Sequence, residues 1–526
     1  MNAPQGGGHP DATKRGRRSR HSRRGATKPA HRPTIRTVNY RTLRNPFTPA
    51  KVFSDDRVEA IHQAALDVLE TQGMKILLPE ARAHFRAAGA RVDDDSQMVR
   101  IGRDIVEEAV STAPRSIRTH AGSRHRDQVI EPGALHIQTG AGSPNVTDLS
   151  RGRRPGTYAD FIELVKLNQS FDVFHMLTPM VEPQDLPPHL RHYDVTVLQL
   201  TVSDKLPFVF CRGTAQVEDC FEMIRLARGL DDPGFRRQPC CHSIINTNSP
   251  RQLDIPMAQG LIDFARWGQL MIVTPFCLMG AMAPVTIAGA LTLSHAEALS
   301  AIALSQLTRP GAPVCYGAFV SNVDMKSGAP AFGTPEQVKA NIGAGQLARR
   351  LGLPWRCSTG AAGAVNDAQA ANETQMGAWG AVLAGATILI HGAGWIEGGL
   401  TFSYEKLITD LEVMQTFAEL CTETPSDDAS LALDALTEVD PGGHFFGAAH
   451  TIERYESAFY EPVVADWSNF GTWAERGGLD ANQRANRIWK QVLEDFEPPN
   501  VDSTRLGEAI AFAERRKSEG GAPPPG

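Results

Sequence analysis

A chain of 526 residues with 42% hydrophobic and 21% charged residues can bury a large core, and eight cysteines without dense short spacing exclude a disulfide-stapled secreted domain. The net charge of −6 is uneven: residues 1–36 hold ten Lys/Arg against one Asp, a balance of +9 that leaves −15 for the remainder. Basic character is local, so nucleic acid is not an expected partner of the whole chain.

In chain order, residues 1–45 read as a disordered basic tail, because GGGHPDATKRGRRSRHSRRG has no large apolar residue with which to offset the entropy of ordering. The tract suits an acidic surface or nucleic acid, and equally a solvated tail, which is the plainer reading. No apolar stretch follows the charges, so no secretory or twin-arginine signal is expected. Residues 46–130 read as an N-terminal helical segment. DRVEAIHQAALDVLETQG places Val58, Ile61, Ala65, Val68 and Leu69 on one stripe that ends at Gly73, and shorter helices follow around PEARAHFRAAG and RDIVEEAVSTAP.

Eight short apolar segments then recur: ALHIQTG (134–140), VFHMLTP (173–179), PFVFCRG (207–213), CHSIINTN (241–248), LMIVTPF (270–276), PVCYGAF (313–319), PWRCSTG (354–360) and ATILIHG (386–392). Short apolar runs alternating with Ala/Leu-rich helical stretches predict βα units around a parallel sheet, and eight of them predict an α/β fold of the (β/α)8 TIM-type barrel class over residues 131–425. Such barrels carry their chemistry where the strands end, which singles out Gln138, Thr139, Arg212, Asn246, Asn248, Thr274, Tyr316, Ser358, Thr359 and His391.

Two connections, 180–206 and 320–336, are long enough to be lids or ligand walls, and the second is the better lid. Thr334 and Pro335 read as N-cap and first residue of the next helix. After the last strand, GWIEGGLTFSYEKL is glycine-rich, and the helix beyond it packs through Leu407, Leu411, Met414, Ala418 and Cys421. Residues 426–515 read as C-terminal helical additions and 516–526 as a second disordered tail.

No GxGxxG follows a strand, and there is no P-loop, H-E-x-x-H or G-x-S-x-G, so nucleotide cofactors and serine hydrolysis lack support. Cys240, Cys241 and His242 are adjacent rather than spaced as C-x2-C, and no metal site is expected. The cysteines are expected reduced and buried. No run approaches the roughly 18 apolar residues that cross a bilayer, so a cytoplasmic protein is expected.

The stretches GWIEGGLTFSYEKLITDLEVMQ, PVCYGAFVSNVDMKSGAPAFGTPE, GAGQLARRLGLPWRCSTG with DAQAANET, and HFFGAAHTIERY resemble the trimethylamine methyltransferase family, in the same order and over about residues 40 to 515. The resemblance implies a barrel that moves a methyl group from a methylated amine to the cobalt of a separate corrinoid protein. Archaeal members carry pyrrolysine inside the barrel. The corresponding stretch here, CSTGAAGAVNDAQAAN, holds only ordinary residues around Gly363 to Asn366. A quaternary ammonium needs no activation, because it departs as a neutral tertiary amine. The departure from the family pattern therefore favours glycine betaine or a related betaine, with trimethylamine itself as the alternative. The chain lacks the D-x-H-x-x-G that lends a histidine to cobalt, so no cofactor is expected on it and the corrinoid must arrive on a partner. A homo-oligomer is possible.

On this reading the substrate cation needs aromatic faces, for which Tyr316, Phe319, Phe332, Trp395, Phe402 and Tyr404 are candidates; each has core packing as its alternative. His391, at the barrel mouth, is the candidate to bond a substrate carboxylate or steer docking, and Glu397 to attract the ammonium; a satisfied buried histidine and a turn cap are the alternatives. Arg212, Gln138 and Asn246 are candidates for the carboxylate, with Arg212 otherwise an ion-pair partner and Asn246 a turn residue. Glu405 reads as structural, in the first turn of a helix. A betaine-binding or regulatory protein without catalysis is the competing class, and a metal-dependent hydrolase finds too few ligands.

Overall fold

Residues 39–524 are described by a computed structural model, and the tail readings for residues 1–38 lie outside it. Six of the eight segments form regular parallel strands, Ala134–Ile137, His242–Ile245, Leu270–Val273, Val314–Gly317, Trp355–Ser358 and Ile388–Ile390. Their spatial order runs from Ala134–Ile137 through Ile388–Ile390, Trp355–Ser358, Val314–Gly317 and Leu270–Val273 to His242–Ile245, with Leu43–Arg44 added antiparallel on the first.

The second and third segments are not regular strands. They attach by isolated bonds and bridges: His175 N–H to Ile137 O (2.9 Å), Leu177 N–H to Leu206 O (3.1 Å), and His242 N–H to Pro207 O (3.1 Å) with Val209 N–H to His242 O (3.0 Å). Pro179 and Pro207 have no N–H to give, which shortens any ladder there. The architecture is thus mixed α/β, with a parallel sheet of six regular strands and two looser segments spanning between its ends.

Strand alternation sorts the side chains. Leu270, Ile272, Cys315 and Ile388 point to one face with Met176 and Leu206, and the hairpin Ile117–Thr119/Gln128–Ile130 adds Ile117 and Ile130 to the same cluster at the start of the strands. The opposite face packs on the helices. Chief among these is Ile287–Thr308, rich in Ala and Leu with no exposed polar face and buried along most of its length, His295 and Glu297 included. It is long and apolar enough to cross a membrane, contrary to the reading that no segment approaches that length, but 78% of its most apolar window is buried inside the protein.

The segment expected to be helical is mixed. Helices Asp55–Asp67, Pro79–Ala87 and Arg103–Ser111 alternate with Met74–Ile76, Arg91–Asp93 and Met98–Arg100, which form a small sheet with Gln252–Leu253. Loop 320–336 is a hairpin, not a free lid: Phe319–Val323 pairs with Pro330–Ala331, and Thr334 then caps Pro335–Leu351 by accepting from Gln337 N–H. All eight cysteines are free thiols, seven of them buried.

Seven histidines are buried, and burial favours the neutral form of each, His62 (lowered to about 4) and His192 included. Burial pulls His136 and His242 down to about 4 and His175 to about 3, and holds His295 and His391 well below the ordinary imidazole value. The native state refuses protons that the unfolded chain accepts near pH 6.5. Their contribution is therefore intact above that pH and lost as pH falls toward 4, each at up to about 1.4 kcal/mol per unit. Thermal melts between pH 7.5 and 5.5 are expected to show Tm falling steadily with acidification; a flat profile refutes the neutral assignment.

Candidate active site

At the C-terminal ends of the strands the inward-facing positions turn polar. Gln138 follows the first strand, Thr274 the fifth segment, Arg356 and Ser358 lie on the seventh and His391 follows the eighth. Register places Gly317 beside Arg356, and a side chain at Gly317 would meet Val273 O at 2.4 Å and Thr274 Oγ1 at 2.5 Å. Glycine at 317 lets the Val273–Thr274 backbone and hydroxyl approach this closely beside the strand that carries Arg356.

Arg356 is 2% exposed and forms no ion pair among the described residues; its Nε and Nη1 have no acceptor. Its Nη2 lies 3.4 Å from His391 Nε2, while Ala141 N–H donates toward His391 Nδ1 (3.3 Å). A neutral imidazole has one lone pair, so it satisfies only one of these donors. Both amide atoms of Gln138 and the hydroxyls of Thr274 and Ser358 also lack partners. Buried polar atoms are almost always bonded, so this concentration, with donors in excess, is a site shaped for an acceptor that the protein does not supply. Burial lowers the Arg356 guanidinium to about 9, the response of a cation held without an anion.

Against this polar floor stands an aromatic wall. Trp395 stacks on His391 at 4.5 Å and 24°, Phe332 meets Trp395 at 5.2 Å, and Phe319 lies 5.5 Å from Phe332 and 4.9 Å from Phe276. Arg356 Cζ is 5.7 Å from the centre of the Phe319 ring. His391 takes φ +59°, which turns the chain sharply enough to bring Trp395 back over its imidazole. Gly360, at φ +135°, allows the indole to sit there, since a Cβ would come within 2.4 Å of it. Gly360→Ala is therefore expected to destabilise by about 2 kcal/mol or more through overpacking and strain. Chemical denaturation would read this, and an unchanged midpoint would place Trp395 elsewhere.

The candidates from sequence separate in space. His391, Gln138, Phe319, Phe332 and Trp395 converge. Phe402 pairs across from Trp395 and packs behind it, in contact distance of Gly140 and Gly394. Glu397 is on the next turn, with its carboxylate taken by Arg153 at 3.0 Å. The others lie elsewhere. Tyr316 points out of the strand's inner face and meets His295 Nδ1 at 3.0 Å, because the inward positions on that strand are Cys315 and Gly317. Tyr404 Oη sits between Asp160 (3.0 Å) and Glu163 (2.7 Å), with one proton to donate to either, and its ring packs on Trp489. Arg212 is an ion-pair partner of Glu182, and Asn246 is exposed. Glu405 accepts from Asn486 and Trp489, a structural tie. Sequence reasoning missed Arg356 and Phe276; the signal for the first was a charged residue at an inward position of an otherwise apolar strand. Among the described residues no three His, Cys, Asp or Glu converge as metal ligands.

The family model for trimethylamine methyltransferase (MTTB) matches residues 13–521. The glycine betaine methyltransferase of Desulfitobacterium hafniense strain Y51 is 31% identical over 89% of this chain and 98% of that protein. A trimethylamine methyltransferase of D. hafniense DCB-2 is 29% identical over 89% of this chain and 94% of its own length. The solved monomethylamine methyltransferase of Methanosarcina barkeri aligns with TM-score 0.46 and 11% identity, covering 86% of this chain and 96% of that one. With a family match along nearly its whole length and a relative above 30% identity, this chain belongs to the trimethylamine methyltransferase family.

Proposed function

We propose that the protein transfers a methyl group from a betaine, a quaternary ammonium that also bears a carboxylate, to the Co(I) centre of a separate corrinoid protein. One observation carries this reading: Arg356 is a buried guanidinium without an anion, set beside an aromatic wall. A cation without a partner calls for a carboxylate, and aromatic faces suit an ammonium, at about 0.5 to 2 kcal/mol for each ring engaged. A single zwitterion satisfies both. The name of the Desulfitobacterium glycine betaine methyltransferase supports the same substrate class.

In this mechanism Arg356, with Gln138, Thr274 and Ser358 as further bonding groups, holds the carboxylate on the floor of an eight-stranded barrel closed through the two looser segments. Trp395, Phe319 and Phe332 hold the ammonium toward the mouth, and His391 stays neutral and keeps Trp395 in place. A Co(I) corrinoid on the partner would supply the nucleophile and take the methyl group, while the electrons of the broken C–N bond would leave on a neutral tertiary amine. No proton need move. The protein's contribution is alignment, for which well-oriented reactants gain about 7 to 11 kcal/mol.

The test mixes the protein with a Co(I) corrinoid protein and either glycine betaine or choline, following methyl-Co(III) by absorbance. Glycine betaine is expected to exceed choline in kcat/KM by about 100-fold or more, since choline leaves Arg356 unpaired. Methylation by neither, with betaine still raising Tm, would replace the enzyme by a betaine-binding protein.

A further inference from the structure

We propose that a cavity on the helix-covered face of the parallel sheet, separate from the candidate active site, binds a small carboxylate with a compact apolar body. The cavity measures about 280 Å³ and lies among the helices Asp55–Asp67, Arg103–Ser111, Ile287–Thr308 and Pro335–Leu351. Val106, Val110, Leu299 and Leu353 give it apolar walls. His62 lies in the same wall, 2% exposed, and its Nε2 has no hydrogen-bond partner among the described residues.

A chain of two bonds fixes what that nitrogen offers. Tyr316 Oη is 3.0 Å from His295 Nδ1, and His295 Nε2 is 2.9 Å from His62 Nδ1. Burial keeps both histidines neutral, and a neutral imidazole carries one N–H and one lone pair. The buried phenol of Tyr316 bonds His295 and no other side chain or carbonyl among the described residues, so its proton goes to His295 Nδ1. His295 Nε2–H then fills His62 Nδ1, and His62 is left with an N–H at Nε2. The carboxylate of Glu107, on the rim and half exposed, stops 3.9 Å from that nitrogen, beyond bonding reach. Two arginines also line the cavity. Arg350 is taken by Glu59 at 2.6 and 2.9 Å, whereas Arg115, exposed on the rim, has no acceptor among the described residues. A buried N–H donor and a free guanidinium thus face one apolar space. A carboxylate answers both through charge-assisted bonds, and its apolar body replaces water against the valines and leucines. Glu107 opposes the anion and, being half exposed, turns into solvent to admit it. None of these groups takes part in the proposed methyl transfer, so the inference stands apart from that reading.

Titration of the full chain with para-fluorobenzoate, followed by fluorine NMR, tests this, with saturable binding expected at a Kd of about 1 mM. The wild type is compared with Arg356→Gln, which removes the active-site guanidinium that would compete for the probe. Binding that Arg356→Gln abolishes belongs to the active site and overturns the proposal. In the Arg356→Gln background, Arg115→Ala is expected to weaken binding about threefold and Glu107→Gln to tighten it about threefold, the scale of exposed charges. Tyr316→Phe leaves the cavity walls untouched but frees His295 to hold its proton at Nδ1. His62 then donates through Nδ1 and turns a lone pair toward the carboxylate, so affinity is expected to fall about tenfold. A merely apolar pocket would not respond to that change. No saturable binding up to about 20 mM, or binding indifferent to Tyr316→Phe in a folded variant, overturns the proposal and leaves the cavity to water. Should Tyr316→Phe unfold, the two exposed changes decide: affinities that do not move in opposite directions overturn it equally.

Discussion

Arg356→Gln is expected to abolish methyl transfer from glycine betaine while raising the melting temperature of the ligand-free protein. The two effects come from one cause. Two charge-assisted bonds to a carboxylate, at about 1.5 to 3 kcal/mol each, correspond to a loss of about 10²- to 10⁴-fold in kcat/KM when they are removed. In the free protein the same guanidinium is buried with two donor atoms unpaired, a cost that the neutral amide reduces. Activity assays and thermal melts on the same preparation check both arms. A variant that melts lower than wild type would make Arg356 a structural cation, and the carboxylate would have to bind elsewhere. The discrimination between glycine betaine and choline should shrink in step with activity, because it depends on this side chain.

Asp410→Ala is expected to be the most damaging single change away from the substrate, costing about 3 to 5 kcal/mol, the usual result of leaving a buried charge alone. Lys406 and Asp410 are paired at 2.8 Å, 0% and 3% exposed, and Lys406 also donates to Ala370 O. Burial pushes the Asp410 carboxyl upward, and Lys406 opposes that. The second oxygen of Asp410 accepts from Gly394 N–H at 3.0 Å, which fixes the residue before Trp395. Two roles are combined, and a double change separates them. Lys406→Met with Asp410→Leu removes both charges and is expected to recover most of the stability. The Gly394 N–H stays without its acceptor, so KM for betaine should remain raised. Recovery of KM together with stability would show that the pair acts on the fold alone.

How far the sequence carried can be judged residue by residue. The parallel strands were legible because continuous apolar runs such as LMIV and ILI, bounded by turn residues, have few other uses. The same signal overstated segments 173–179 and 207–213, where proline leaves apolar runs that touch their neighbours only by isolated bridges. His391, Trp395 and Phe319 were legible as candidates near strand ends, and the structure brings their rings together. Tyr316 was misplaced because one residue along a strand reverses the face, and no local signal tells Tyr316 from Gly317 at a strand's end.

By itself the sequence determined the α/β class, the order of its units, the family, and the stretches from which the candidate site is drawn. Those are properties of local pattern and of motifs in order. Only the tertiary structure decided which of those side chains meet. That Arg356 lacks an anion while Arg212 has Glu182 depends on partners far away in the chain and on burial, and neither leaves a mark in the residues on either side.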